Sequence, residues 1–207
     1  MRTKLLLGVL LLTLACAPAF AAEAVNASPA QVTADLTINV NVVNALRLTL
    51  LTGTNTPACT ITRTNGTTDD DATTYSMNFG DINGLGIDPG ANCTDVTQVA
   101  GNYVWYTNYG IKTQYAGLPN TADVKLKIAT DFTNNAMLKV RETSFASGAT
   151  ALTTNLTTTD TTIISAATNS ATPKDRLLGI AMIAANVNGA GSTGADSVVL
   201  TYTLVAN

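Results

Sequence analysis

The sequence predicts an all-β chain folded as a single β-sandwich of about nine or ten strands, held by one disulfide. Three observations predict it. Thr makes up roughly a sixth of the 207 residues, well above its usual share. Apolar and polar residues alternate along several segments, and clusters of Gly, Asn and Asp separate those segments at turn-like intervals. Branched Thr and Val side chains are stiff about χ1 and pack well on a pleated, half-buried surface. A period of two sends successive side chains to opposite faces of a sheet.

The N-terminus reads as a secretory leader. Arg2 and Lys4 precede an apolar run from Leu5 to Ala15, and Ala19-Phe20-Ala21 supplies the small-x-small pattern for cleavage after Ala21. Residues 1–21 are therefore assigned to a bacterial-type signal peptide, and the mature chain is expected to be secreted. The apolar run, about 11 residues, is too short for a spanning helix, and no second long run follows, so no transmembrane segment is expected. Thr13-Leu14-Ala15-Cys16 offers an alternative, a lipoprotein box that would leave a lipidated Cys16.

Residues 22–44 form an N-terminal extension. Within it Val32, Ala34, Leu36, Ile38, Val40 and Val42 share one face, with Thr33, Asp35, Thr37, Asn39 and Asn41 on the other. Eleven alternating residues are about twice the usual strand length. The sandwich proper is assigned to residues 45–207. Its first run alternates Leu46, Leu48 and Leu50 against Arg47 and Thr49. Only Val43 and Asn44 separate the two runs, so one bulged strand and two strands in different sheets both stand.

Residues 55–71, which hold Cys59 and Asp69-Asp70-Asp71, read as a polar surface excursion. Tyr75, Met77 and Phe79 alternate as a short strand ending at Gly80, and Gly84, Gly86, Pro89 and Gly90 mark a loop reaching Cys93. Strands follow at residues 103–109, at Val124, Leu126 and Ile128, and from Met137 to Val140. Residues 149–172 are small and hydroxylated, with weak strands expected around Leu152 and Ile163. The apolar stretch from Leu177 to Val187 fits a buried strand or a short helix, and Gly179 and Asn186 favour the strand. Val198, Leu200, Tyr202 and Leu204 alternate in the last segment.

Cys59 and Cys93 are the two cysteines beyond the leader, and an even pair in an oxidising compartment forms one disulfide. Closing a loop of about 35 residues stabilises the fold by roughly 3–4 kcal/mol on the chain-entropy estimate.

The composition argues against enzyme chemistry. Histidine is absent and only 12% of residues are charged. A Ser-His-Asp triad is thereby excluded, as are the common catalytic zinc sites. The mature chain has two glutamates, Glu23 and Glu142, and most aspartates stand in loops where turn formation explains them. The chain is read as a non-enzyme with no required cofactor. The net charge of −3 and the lack of a basic stripe give no footprint for nucleic acid.

Two candidate binding features stand beside plainer readings. Asp81, Asn83 and Asp88 place oxygen ligands in a glycine-rich loop, a weak calcium candidate. The loop departs from the EF-hand pattern at Leu85 and Asn92, and a turn after a strand explains the same residues. Tyr103, Trp105 and Tyr109 share one face of a strand and offer either a platform for sugar rings or packing in a core or interface.

Taken together, the leader, the Val32–Val42 alternation, the single disulfide, Met77-Asn78-Phe79-Gly80 and the closing run with Tyr202 resemble secreted β-sandwich subunits of bacterial surface fibres. These are the chaperone-usher pilins and spore coat protein U-like domains. One departure is that the first Cys of those pilins commonly lies in the early strands, whereas Cys59 follows two strand runs. The resemblance implies an immunoglobulin-like or pilin-like sandwich that serves as a structural subunit of an extracellular filament, pilus or coat. Its implied partners are copies of itself in a homopolymer and a periplasmic assembly chaperone. Val32, Ala34, Leu36, Ile38, Val40 and Val42 would then be a strand donated to a neighbour, or else the first strand of their own sandwich. A monomeric secreted adhesin or carbohydrate-binding module is the alternative function.

Overall fold

A computed structural model describes residues 45–68, 72–87, 93–116, 121–170, 172–183 and 194–207. The leader, the run from Val32 to Val42, Asp69–Asp71 and Asp88 lie outside the described residues. Ten strands are described: β1 (Ala45–Thr52), β2 (Ile61–Arg63), β3 (Tyr75–Met77), β4 (Asp95–Val99), β5 (Asn102–Ala116), β6 (Ala122–Thr130), β7 (Leu138–Ser144), β8 (Thr161–Ala167), β9 (Lys174–Met182) and β10 (Val199–Ala206). All pairings are antiparallel, and the sheets pack face to face as a β-sandwich.

The larger sheet has the order β1-β5-β9-β7, with β4 also on β5. The 15-residue β5 organises it. Its first half takes β4, from Asp95 opposite Tyr106 to Val99 opposite Asn102. Its second half takes β1 on the same edge, and β9 runs along the other. Ala100 and Gly101, at φ 49° and 78°, supply the two positive values that the tight β4–β5 turn requires. The smaller sheet has the order β10-β6-β8, and β2 pairs β3 as a separate hairpin.

Alternation explains the smaller sheet: Ala122, Val124, Leu126 and Ile128 of β6 are buried while Lys125 and Lys127 point outward. Val124 meets Trp105, Tyr109 and Ile111 of β5, Val140 of β7 and Ile180 of β9 in the main core. Each such side chain contributes roughly 1.5–3 kcal/mol on burial. The larger sheet is buried on its other face too, where Val104, Leu177 and Ala181 pack with Leu152. This two-sided burial explains the continuous apolar run from Leu177 to Met182, which is strand; residues 184–187 of the expected segment lie outside the described residues.

Leu152 departs from expectation. It lies in no strand but follows two single-turn 3-10 helices, Phe145–Ser147 and Ala149–Ala151, and is fully buried. Arg141 seats this crossover, its Nε donating to Asn155 Oδ1 (2.8 Å) and its Nη1 to the Leu152 carbonyl (3.0 Å). Gly179 makes room beneath, since a Cβ there would stand 2.8 Å from Val104 Cγ1 and 3.0 Å from Leu152 Cδ1.

The excursion after β1 is also more deeply anchored than its polarity suggests. Cys59 is fully buried and bonded to Cys93, with Cα atoms 4.7 Å apart. Its N–H donates to Thr107 Oγ1 (2.7 Å). The buried Asn108 accepts from the Asn55 N–H (3.0 Å) and donates to the Arg176 carbonyl (3.0 Å). Burial of Thr107 and Asn108 is thus explained by backbone groups that need partners.

Candidate functional site: an apolar groove beside the last strand

β10 bonds β6 along one edge and β3 bonds β2 along one edge. Among the described residues no strand pairs with the other edge of either. Between these edges runs a groove of about 1050 Å³. Its floor is the inner face of the larger sheet, with Tyr109, Val140, Leu178, Ile180 and Met182. One lip is β10 with the residue before it, through Val198, Leu200 and Tyr202; the other is Ile61, Tyr75, Met77 and Phe79. Leu50 of β1 and Phe132 also border it. Leu200 and Tyr202 are half-buried and Val199 is 52% exposed, so the lip is an apolar edge open to solvent. An unpaired edge of this kind is a template for another strand.

A buried polar cluster stands at one end of the groove. Arg176 of β9 makes a bidentate ion pair with Glu142 of β7, and the two side chains are only 11% and 2% exposed. The Tyr109 hydroxyl donates to Glu142 Oε1 (3.3 Å), and the Tyr109 and Tyr202 rings meet edge-on with centroids 6.1 Å apart. Burial, reinforced by the charge of Glu142, pushes both tyrosine hydroxyls above their ordinary range, so they stay protonated donors. Burial opposes the charge of Arg176, but Glu142 outweighs it and holds the guanidinium charged.

At the other end Asp196 ties the turn after β6 to the start of β10. Its carboxylate accepts from the N–H groups of Asn134 (3.0 Å), Thr133 (3.0 Å) and Ser197 (2.8 Å) and from Asn134 Nδ2 (3.1 Å). These bonds, that of the Asn134 N–H foremost, hold the carboxyl below its ordinary range. A folded value below the unfolded one gives stability that is present above about pH 4 and lost as pH falls through the folded value. The amides of Thr133, Asn134 and Ser197 are accordingly expected to lose exchange protection selectively below about pH 4. Equal protection at pH values on both sides of that point would contradict the tether.

The other candidate residues lie apart from the groove's lips or serve its walls. Trp105 is fully buried and Tyr109 is 1% exposed, so neither presents a face to a sugar ring; both are core residues. Tyr103 is half-buried under the turn at Gly86, where a Cβ would meet its ring at 2.4 Å. In that turn Asn83 Oδ1 accepts from the N–H groups of Leu85 (3.0 Å) and Ile87 (3.1 Å), and its Nδ2 donates to the Ile87 carbonyl. The Asn83 carbonyl in turn accepts from Trp105 Nε1 (3.0 Å). Asn83 therefore has a structural task as the centre of the turn, and Asp81 lines the groove. Among the described residues no three His, Cys, Asp or Glu side chains cluster as a metal site. No described helix is long and apolar enough to cross a membrane.

The groove was not legible in the sequence, because its two lips, ending at Phe79 and beginning at Val198, are far apart in the chain and become neighbours only through the sheet order. No protein-family model, curated protein or solved structure matches the chain.

Proposed function

We propose that this chain is a secreted structural subunit of an extracellular fibre or coat, and that its groove receives residues 32–42 of a neighbouring copy as an added strand. The observation that carries the reading is the apolar groove between two unpaired strand edges. The run from Val32 to Val42 has the matching chemistry: apolar side chains on one face for the floor, and polar ones on the other for solvent. Main-chain bonds to a sheet edge give affinity in this mode, and alternate side chains fill the pockets.

Magnitudes favour a lasting contact. Burying three to six of these apolar side chains yields roughly 5–10 kcal/mol gross, of which ordering and association offset part. Donor and acceptor are different surfaces of one chain, so the contact is head-to-tail and propagates into a filament unless its rotation closes a ring. A periplasmic chaperone that lends a strand to the same groove would keep subunits apart before assembly. The N-terminal leader supports export of the chain to that compartment.

Electron microscopy of the chain from residue 22 onward, at high concentration, tests the reading. Regular filaments are expected. Uniform small particles, with or without a strand-lending chaperone released in their presence, would overturn it.

A further inference from the structure

The groove stops abruptly along β10. Its lining takes in Val198, Leu200 and Tyr202, whereas Leu204, the next residue on that face, packs into the core outside it. The same boundary crosses the other strands: Leu50 borders the groove and Leu48 does not, Tyr109 does and Ile111 does not. What stands at the boundary is the Tyr109–Tyr202 pair, edge-on to one another with ring centroids 6.1 Å apart. Behind it lies the Glu142–Arg176 ion pair, which takes the Tyr109 hydroxyl as a third member. A wall fixed by a buried, mutually bonded cluster yields far less than one built of lone aliphatic side chains.

Along this lip the lining runs from Gly194 to Tyr202, and its large apolar side chains are confined to Val198–Tyr202. That apolar stretch spans five residues, roughly 13–17 Å at the rise of a strand, which accommodates about three inward-facing side chains. The alternating run from Val32 to Val42 carries six. We propose that Tyr109 and Tyr202 form an end-stop that fixes the register of the donated strand, admitting three consecutive apolar positions of that run and leaving the other three outside. The inference rests on the strand-donation reading above, with the second copy of this chain as the occupant.

The test is an aspartate scan in the whole chain from residue 22 onward. Val32→Asp, Ala34→Asp, Leu36→Asp, Ile38→Asp, Val40→Asp and Val42→Asp are each assembled, with polymer measured by sedimentation and folding by circular dichroism. A carboxylate forced into an apolar pocket is strongly disfavoured, so a contiguous block of three variants is expected to lose polymer by about tenfold or more. The other three are expected to assemble like the parent chain. If all six fail alike, the end-stop is overturned and strand donation survives. If none fails, strand donation falls and the end-stop with it. Tyr202→Ala, which opens the wall, is expected to widen the sensitive block beyond three; a folded Tyr202→Ala chain with the block unchanged also overturns the end-stop. The scan against the unaltered acceptor decides the matter even if Tyr202→Ala does not fold.

Discussion

Replacing Arg176 by methionine is expected to lower the unfolding free energy by about 3–5 kcal/mol, because it leaves the Glu142 carboxylate buried without its cation. The Glu142 side chain is 2% exposed, and its remaining partner would be the Tyr109 hydroxyl at 3.3 Å. A loss of this size is a large fraction of the stability of an ordinary domain. The companion double variant, Arg176→Met with Glu142→Leu, is expected to recover most of it, since an apolar pair of similar volume removes the desolvation problem. Urea unfolding of the three chains gives the comparison. A single variant within about 1 kcal/mol of the parent, or a double variant no better than the single, would show that the ion pair is not buried as described.

Removing residues 24–43 is expected to abolish assembly and leave the domain folded. The two effects separate the possible homes of that segment. If its apolar face docks in the groove of another copy, the truncated chain keeps all of its described sheets and its disulfide but has no strand to donate. It should then remain a soluble monomer with the circular dichroism of the parent. If the segment instead completes its own sandwich, its loss withdraws on the order of 10 kcal/mol of gross burial, enough to unfold most domains. An unfolded truncated chain would therefore sink donation between copies. Adding the truncated chain to the full one is expected to cap growing filaments, because it accepts a strand and passes none on.

The fold class was legible because alternation and turn residues carried it. Ala122 to Ile128, Leu48 to Leu50 and Leu200 to Leu204 lie in strands with alternate residues toward the core, whereas Leu46 is 51% exposed at the start of β1 and Val198 stands just before β10. The disulfide was legible because Cys59 and Cys93 are the two cysteines that follow the expected leader with its Cys16. The strand β4 was missed because Asp95 to Val99 lack a clear period and the turn that follows is Ala-Gly rather than the usual Asn-Gly. The strand β2 was missed because its three residues sit in a Thr-rich segment with a single apolar anchor, Ile61. Leu152 misled in the opposite direction: its burial comes from tertiary contact with Val104 and Leu177 rather than from a strand.

The candidate site shows the limit more sharply. The run from Val32 to Val42 announces an apolar strand face, yet the surface it would meet is assembled from β3, β5, β7, β9 and β10. Tyr109 appeared in sequence as one of an aromatic set and Glu142 as one of two glutamates beyond the expected leader. Their partnership with Arg176 and Tyr202 arises from sheet order, which residue periodicity does not encode.

The claim that one copy lends its strand to another is tested most directly by photo-crosslinking in mixed assemblies. A photo-reactive side chain is placed at position 38, and equal amounts of ordinary and heavy-isotope-labelled chain are assembled, irradiated and digested. Crosslinks from position 38 to the groove, at Leu200, Met77 or Ile180, that join a heavy peptide to an ordinary one are the expected result. Crosslinks to the same residues found only within one isotope would place the strand in its own sandwich and contradict donation.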